Sequence, residues 1–192
     1  MQFPEFNTPR LKLVRLTEDD TKDIFTLFSN DKVIEYYDLG ALTQTSQALS
    51  LINFFNSRYT DNTGVRWGIR LKESNRLMGT CGFNTWSPKM KSADIGYDLH
   101  PDFWGYGFAS EAITEILNAA FTGLLPCGKL NRIQADTIPG NDASEALLLK
   151  LGFKEEGLRR ESGYWKGMFH DLKCFGLLEY EYVKSTLVVE KC

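Results

Sequence analysis

Two glycines, Gly105 and Gly107, stand where a turn gives way to a helical pattern, in the run Pro101-Asp102-Phe103-Trp104-Gly105-Tyr106-Gly107-Phe108-Ala109-Ser110-Glu111-Ala112. A helix start presents backbone N–H groups without intrahelical partners and a partial positive charge, and both favour an anion. Glycine has no Cβ to hold a phosphate away from that backbone. Downstream, Ala112, Ile113, Ile116, Leu117, Ala120 and Phe121 recur at spacings that place them on one helix face. Upstream, residues 93–99 read as a strand. Strand, glycine turn and half-buried helix, in that order, can cradle a pyrophosphate. The same two glycines also suit a turn that needs them for geometry alone. A dinucleotide fingerprint would need a third glycine where Ser110 stands, and the Gly-Lys-Ser/Thr of a P-loop is absent.

The elements that must position this turn follow from periodicity. Residues 10–16 alternate polar and apolar, as a half-buried strand does. Thr17-Glu18-Asp19-Asp20 then starts a helix, a second covers about residues 31–37, and a third spans residues 43–59. Strands over 66–71, 77–83 and 91–99 form a meander, followed by the glycine turn and its helix. A strand over 130–137 precedes a helix over 141–151, with Asn141 as its cap and Gly152 at its left-handed end. Strands over 153–160 and 170–182 finish the domain. The order predicts a single mixed α/β domain over residues 1–183. Its central sheet would be mostly antiparallel, of about seven strands flanked by helices, with one short parallel crossover and a tail over 184–192.

Composition narrows the function classes. At 192 residues with 43% hydrophobic and 24% charged side chains, the chain can bury one substantial core. A net charge of −3 lacks the basic footprint of a nucleic-acid binder. No apolar run reaches membrane-span length, and the N-terminus has no signal-peptide pattern. Cys81, Cys127, Cys174 and Cys192 are scattered, and His100 and His170 are the only histidines, so no metal site is expected. Free thiols point to a reducing, cytoplasmic compartment.

Four segments, in order, resemble the GCN5-related N-acetyltransferases (GNAT), in particular their RimJ/RimL-like branch. Thr8-Pro9-Arg10-Leu11-Lys12-Leu13 is similar to the branch's opening T-x-R-L-x-L. Ile95-Gly96-Tyr97, followed by Trp104 through Ala112, resembles its IGY…WGxGYATEA. Asn141-Asp142-Ala143-Ser144 through Lys150-Leu151-Gly152-Phe153 resembles its NxxS…KxGF, and Glu156-Gly157 with Asp171 resembles its closing strands. Two positions depart from the pattern. Asp102 stands at the first place of the family's Q/R-x-x-G-x-G/A. Leu148 stands where many relatives carry a tyrosine that reprotonates the leaving thiolate.

The resemblance implies acetyl transfer from acetyl-CoA to a primary amine, with no metal, and the GNAT acyl-CoA N-acyltransferase fold. Cofactor contacts would fall on Leu99, His100, Trp104, Gly105, Tyr106, Gly107, Phe108, Ala109 and Asn141, with the backbone N–H near Leu99 polarising the thioester. Ser144 is implied as the acid toward the thiolate; Asn141 and Ser144 also suit a plain helix cap. The base would be Asp94 or Glu161, although the family's glutamate falls near Gly163, two residues from Glu161. Each acid also reads as an ordinary surface charge, and His100 as packing against the cofactor. Glu35, Tyr36, Tyr37 and Trp86, joined by Trp165 and Phe169, would line an acceptor groove suited to a cation; Tyr36 and Tyr37 equally suit a core. The expected acceptor is a protein N-terminal α-amine of the ribosomal type. The alternatives are a polyamine, antibiotic or amino acid, or a non-catalytic acyl-CoA sensor, and the protein would be a monomer or homodimer.

Overall fold

Leu11–Arg15 (β2) buries Leu11 and Leu13 on one side of its pleat, and this alternation fixes its register against antiparallel neighbours Phe6–Asn7 (β1) and Val65–Leu71 (β3). In the computed structural model, which describes residues 2–182, these strands open an eight-stranded sheet. The remaining strands are Leu77–Ser87 (β4), Ser92–Leu99 (β5), Arg132–Thr137 (β6), Lys154–Trp165 (β7) and Met168–Leu178 (β8), in the order β1-β2-β3-β4-β5-β6-β8-β7. Every neighbouring pair is antiparallel except β5 and β6. The strand beyond the expected seven is β1, whose two residues carry no periodicity to read. The second expected helix is one turn, and the last hairpin is longer than expected because a tight Lys166-Gly167 turn joins β7 to β8. The tail over 184–192 lies outside the described residues.

Two cores cover the two sheet faces. Trp67 and Ile69 pack with Ile113, Ile116 and Leu117 of Phe108–Thr122 (α4), and with Leu148 of Asp142–Lys150 (α5). Thr21–Phe28 (α1), Asp31–Ile34 (α2) and Thr45–Thr60 (α3) enclose Leu16, Ile24, Phe28, Ile52 and Leu77. Gly68, between Trp67 and Ile69, must face the other way, and a Cβ there would meet Leu16 and Leu77. The helices α4 and α5 therefore cover one face and α1–α3 the opposite one. Among the described residues no helix is long and apolar enough to cross a membrane.

The sheet opens at its centre. Strands β5 and β6 pair only over Ser92, Ala93 and Asp94 against Arg132, Ile133 and Gln134. Beyond that, β5 stays with β4 to Leu99, and β6 stays with β8 to Thr137. The divergence coincides with a bulge: Phe83 faces Ile95 and Thr85 faces Asp94, leaving Asn84 as an extra residue on β4. A bulge bends its strand and increases the local twist. Asn84 is held there by the guanidinium groups of Arg58, on its carbonyl, and Arg66, whose Nη1 donates to Asn84 Oδ1 at 3.1 Å.

Arg66 is buried and ion-paired to Asp98, each side chain 2% exposed. Its Nε donates to Thr80 Oγ1 (2.7 Å), and Thr80 in turn donates to Asp98 through Oγ1 (2.8 Å) and N–H (3.0 Å). Removing one member strands a charge in the core, whereas removing both need not. Arg66→Met is therefore expected to lose about 3–5 kcal/mol of stability in urea unfolding. Arg66→Met combined with Asp98→Leu should recover most of that loss.

Candidate active site

The chain leaves β5 at His100 and enters a single turn, Pro101–Phe103, which His100 caps by accepting the Asp102 N–H on Nδ1 at 3.3 Å. Trp104 then folds back, and its indole N–H donates to the Leu99 carbonyl at 2.7 Å. Gly105 (φ 81°) and Gly107 (φ 77°) are both left-handed, and Gly107 caps α4. Only glycine adopts these angles without strain. The first α4 N–H to find a carbonyl is that of Glu111, on Gly107 at 3.0 Å. Among the described residues, no protein acceptor meets the N–H groups of Gly105 through Ser110. Six donors at an exposed helix start could meet a pyrophosphate.

A clamp that the residue pattern did not reveal holds this turn. Arg10 donates to Glu111 through its backbone N–H (2.8 Å) and its Nε (2.6 Å), and its Nη1 donates to the Tyr106 carbonyl at 3.0 Å. Thr8 Oγ1 donates to Glu111 as well. The Arg10 guanidinium also lies over the Phe108 ring, 4.4 Å from its centroid. Burial alone would raise the Glu111 carboxyl, but the bonds from Thr8 and Arg10 outweigh it and hold the group below the usual carboxylate range. Beside the clamp lies an open cavity of about 420 Å³ lined by Thr8, Arg10, Gly107, Glu111 and Lys150. Thr8, Arg10 and Glu111 all stood in the motifs quoted for the resemblance. Nothing local links residues a hundred positions apart.

The opening beside β5 carries its own unused groups. His100 N–H donates to Met78 O at 2.8 Å, and an antiparallel ladder alternates. The N–H groups of Tyr97 and Leu99 therefore point away from β4, toward the gap left by β6. Alternation also sorts the side chains: Ala93, Ile95, Tyr97 and Leu99 face α4 and α5, while Asp94, Gly96 and Asp98 face α1–α3. Gly96 must lack a Cβ, which would stand 2.6 Å from Asn84 Nδ2 and 2.8 Å from Arg66 Nη1. On the α5 side, Asn141 caps the helix by accepting the Ser144 N–H at 3.3 Å, and Ser144 Oγ lies 2.7 Å from the Tyr97 hydroxyl. Burial pushes the Tyr97 phenol up to about 12. Leu148 is wholly buried. At the end of β6, the buried Thr137 Oγ1 has no hydrogen-bond partner among the described residues.

The two carboxylates considered as bases occupy different settings. Asp94 accepts from Gln134 Nε2 and Thr85 Oγ1, both at 2.5 Å, at the last residue of the parallel pairing. Glu161 lies in a bulge of β7, where residues 160–162 oppose the single residue Asp171. That bulge accommodates two extra residues on β7. The Glu161 backbone is left-handed (φ 50°), and its N–H donates to Asp171 Oδ1 at 2.8 Å.

The expected acceptor residues divide. Trp86 is 7% exposed and donates its indole N–H to Asn62 O at 2.8 Å. It packs in the α4-side core, so the expectation that it lines the acceptor groove is corrected. Tyr37 is half-buried, with Arg66 Nη2 donating to its hydroxyl at 3.3 Å. Glu35 and Tyr36 are exposed, and the Tyr36 hydroxyl lies near Gly140. Lys166, at the hairpin tip, donates to the Ile34 carbonyl at 2.5 Å, so the β7–β8 tip and the α2 end meet across this side of the sheet. Trp165 stacks on His170 at 4.3 Å, and Phe169 is exposed.

Comparison with known proteins gives the family and the fold. The profile of the acetyltransferase (GNAT) domain matches residues 10–154. The uncharacterized N-acetyltransferase YoaA of Bacillus subtilis is 38% identical over 177 residues, 92% of this chain and 98% of its own. A RimL ribosomal L7/L12 α-N-protein acetyltransferase solved with coenzyme A superposes with a TM-score of 0.79 at 20% identity, covering 91% of this chain and 98% of that one. Spermidine N-acetyltransferase from Vibrio cholerae, solved with CoA and spermine, gives 0.76 at 24% identity over 91% and 98%. At these identities the two structures speak for the fold alone.

The clamp makes a prediction in pH. A carboxyl held below its unfolded value stabilises the fold above that value, and the contribution is lost as pH falls through the folded one. Glu111→Gln should therefore be less stable than the parent at neutral pH, by about 1.5–3 kcal/mol. The gap should close as acid titrates the parent's own carboxylate. Chemical denaturation across a pH series measures this, and a gap that is constant with pH would contradict it.

Proposed function

The chain belongs to the GNAT family of acetyl-CoA-dependent N-acetyltransferases, and from that premise we propose that its acceptor is a protein N-terminal α-amine, of the ribosomal type, attacking directly in a ternary complex. The supporting observation is the state of the carboxylates on the α1–α3 face. Asp94 is bonded to Thr85 and Gln134, Asp98 to Arg66, Asp136 to Arg159, and Glu156 to Arg132. A polyamine gains affinity from carboxylates free to pair with it. With these four satisfied, and exposed carboxylates such as Glu35 and Glu161 left without an ion pair among the described residues, a single amine at the end of a polar chain is favoured.

The residues divide the reaction between them. The N–H groups of Gly105 to Ser110 hold the pyrophosphate. Leu99, nearer the cradle, offers its N–H to the pantetheine arm. Tyr97, two residues further in, offers its N–H to the thioester oxygen, where such a donor contributes about 3–4 kcal/mol to the barrier. Asp94, through water, or Glu161 takes the proton of the attacking ammonium, and Ser144 gives one to the departing sulfur.

Thiol release from acetyl-CoA, measured against N-terminal peptides, spermidine, aminoglycosides and amino acids, tests the acceptor class. Peptides are expected to exceed spermidine in kcat/KM by about a hundredfold, a difference of roughly 2.7 kcal/mol. The reverse order would make the protein a small-amine acetyltransferase. CoA binding without turnover on any amine would make it a sensor. Gly105→Ala should weaken CoA binding about tenfold while costing the fold only about 1–2 kcal/mol.

A further inference from the structure

We infer that the Tyr97 hydroxyl is a positioning group for the leaving thiol: it lies 2.7 Å from Ser144 Oγ and 3.4 Å from the Ser144 carbonyl oxygen, and acting as the donor to Oγ it aims the Ser144 proton into the gap beside β5. The inference rests on the acetyltransferase reading of this gap and adds to it a residue with a stated role.

Three features carry it. Ser144 occupies the third position of α5, ahead of any helical carbonyl four residues earlier. Hydroxyls further along helices donate backwards, as Thr114 does to Ser110 O at 2.8 Å and Ser50 to Ser46 O at 3.0 Å. Ser144 has no such outlet, and among the described residues its Oγ meets only Tyr97. With Tyr97 as donor, the serine proton is left without a protein acceptor. Burial of Tyr97 keeps its phenol protonated throughout the physiological range, so it remains a donor.

Topology supplies the second feature. Tyr97 comes from β5 and Ser144 from α5, which follows β6, so their bond crosses from one side of the opening to the other. The third feature is position 148. A wholly buried leucine there leaves α5 without the phenol many relatives place on that helix. Tyr97 brings a phenol to the same helix, at Ser144, from the opposite wall.

The proton balance is closed. As the C–N bond forms and the C–S bond breaks, the electron pair of the broken bond stays on sulfur and the Ser144 proton passes to it. The Tyr97 proton moves to Ser144 Oγ. Solvent returns a proton to Tyr97, matched by the one the attacking amine releases.

A double-mutant cycle tests the coupling. Tyr97→Phe and Ser144→Ala should each lower kcat by about tenfold to a hundredfold. The KM for acetyl-CoA should stay within about threefold, and the double variant should be no slower than Ser144→Ala alone. Ser144→Thr, which keeps the hydroxyl, should restore most of the rate. Additive losses, or a Tyr97→Phe effect confined to KM, would overturn the inference. A second readout needs no acceptor: the thiol of bound CoA is titrated by its ultraviolet thiolate absorbance. A donor aimed at sulfur stabilises the thiolate, so both single variants should raise that thiol's pKa by the same amount. A rise in Ser144→Ala but not in Tyr97→Phe, or in neither, would overturn the inference even if no amine were acetylated. Should the wild type acetylate no amine while both variants raise the thiol pKa alike, the acceptor proposal fails and the pairing stands.

Discussion

The parallel contact between β5 and β6 lasts three residues, Ser92–Asp94 against Arg132–Gln134, and each strand then follows a different partner. Backbone N–H and C=O groups near a core are ordinarily paired. A gap at the centre of a sheet therefore persists only if something forces the strands apart. Here the bulge at Asn84 bends β4 at the register where β5 leaves β6, and the buried Arg66 holds that bulge. The ion pair with Asp98 anchors the same guanidinium to β5 itself. The site depends on this one arrangement of a charge buried beside a kink. It leaves the edge of β5 open from Tyr97 to Leu99.

The gap has two chemically different walls because a strand alternates its faces. Asp94 belongs to the α1–α3 side, Tyr97 and Ser144 to the α4–α5 side, and the open backbone lies between them. In the proposed reaction an amine would approach from one side and the thiol depart on the other, at the same strand edge. Proton acceptor and proton donor can thus sit close to one reaction centre without pairing with each other. The glycine turn at the foot of β5 closes the arrangement. Trp104 ties that turn to the Leu99 carbonyl, and Arg10 ties it to the far edge of the sheet.

Element order and the glycine turn were legible in the sequence because both are local. A strand, a turn and a helix announce themselves within a few residues, and Gly105 and Gly107 do have the left-handed angles that make them necessary. Trp86 was misread because an aromatic residue at a strand end looks the same whether its ring faces a groove or a core. Its burial and its bond to Asn62 come from packing. Spacing alone left Glu161 two residues from the family's position, and the left-handed bulge that holds it opposite Asp171 is set by the pairing of β7 with β8.

The sequence by itself determined the element order, the two-glycine turn ahead of α4 and, through four segments in order, the family. Each rests on periodicity or spacing within a short stretch. Only the tertiary structure decided which distant groups share a hydrogen bond. Arg10 with Glu111, Arg66 with Asp98 and Tyr97 with Ser144 lie in separate elements, and their meeting follows from strand order and register. A side chain's type is written in the sequence, but its partner is set by the packing of the whole sheet.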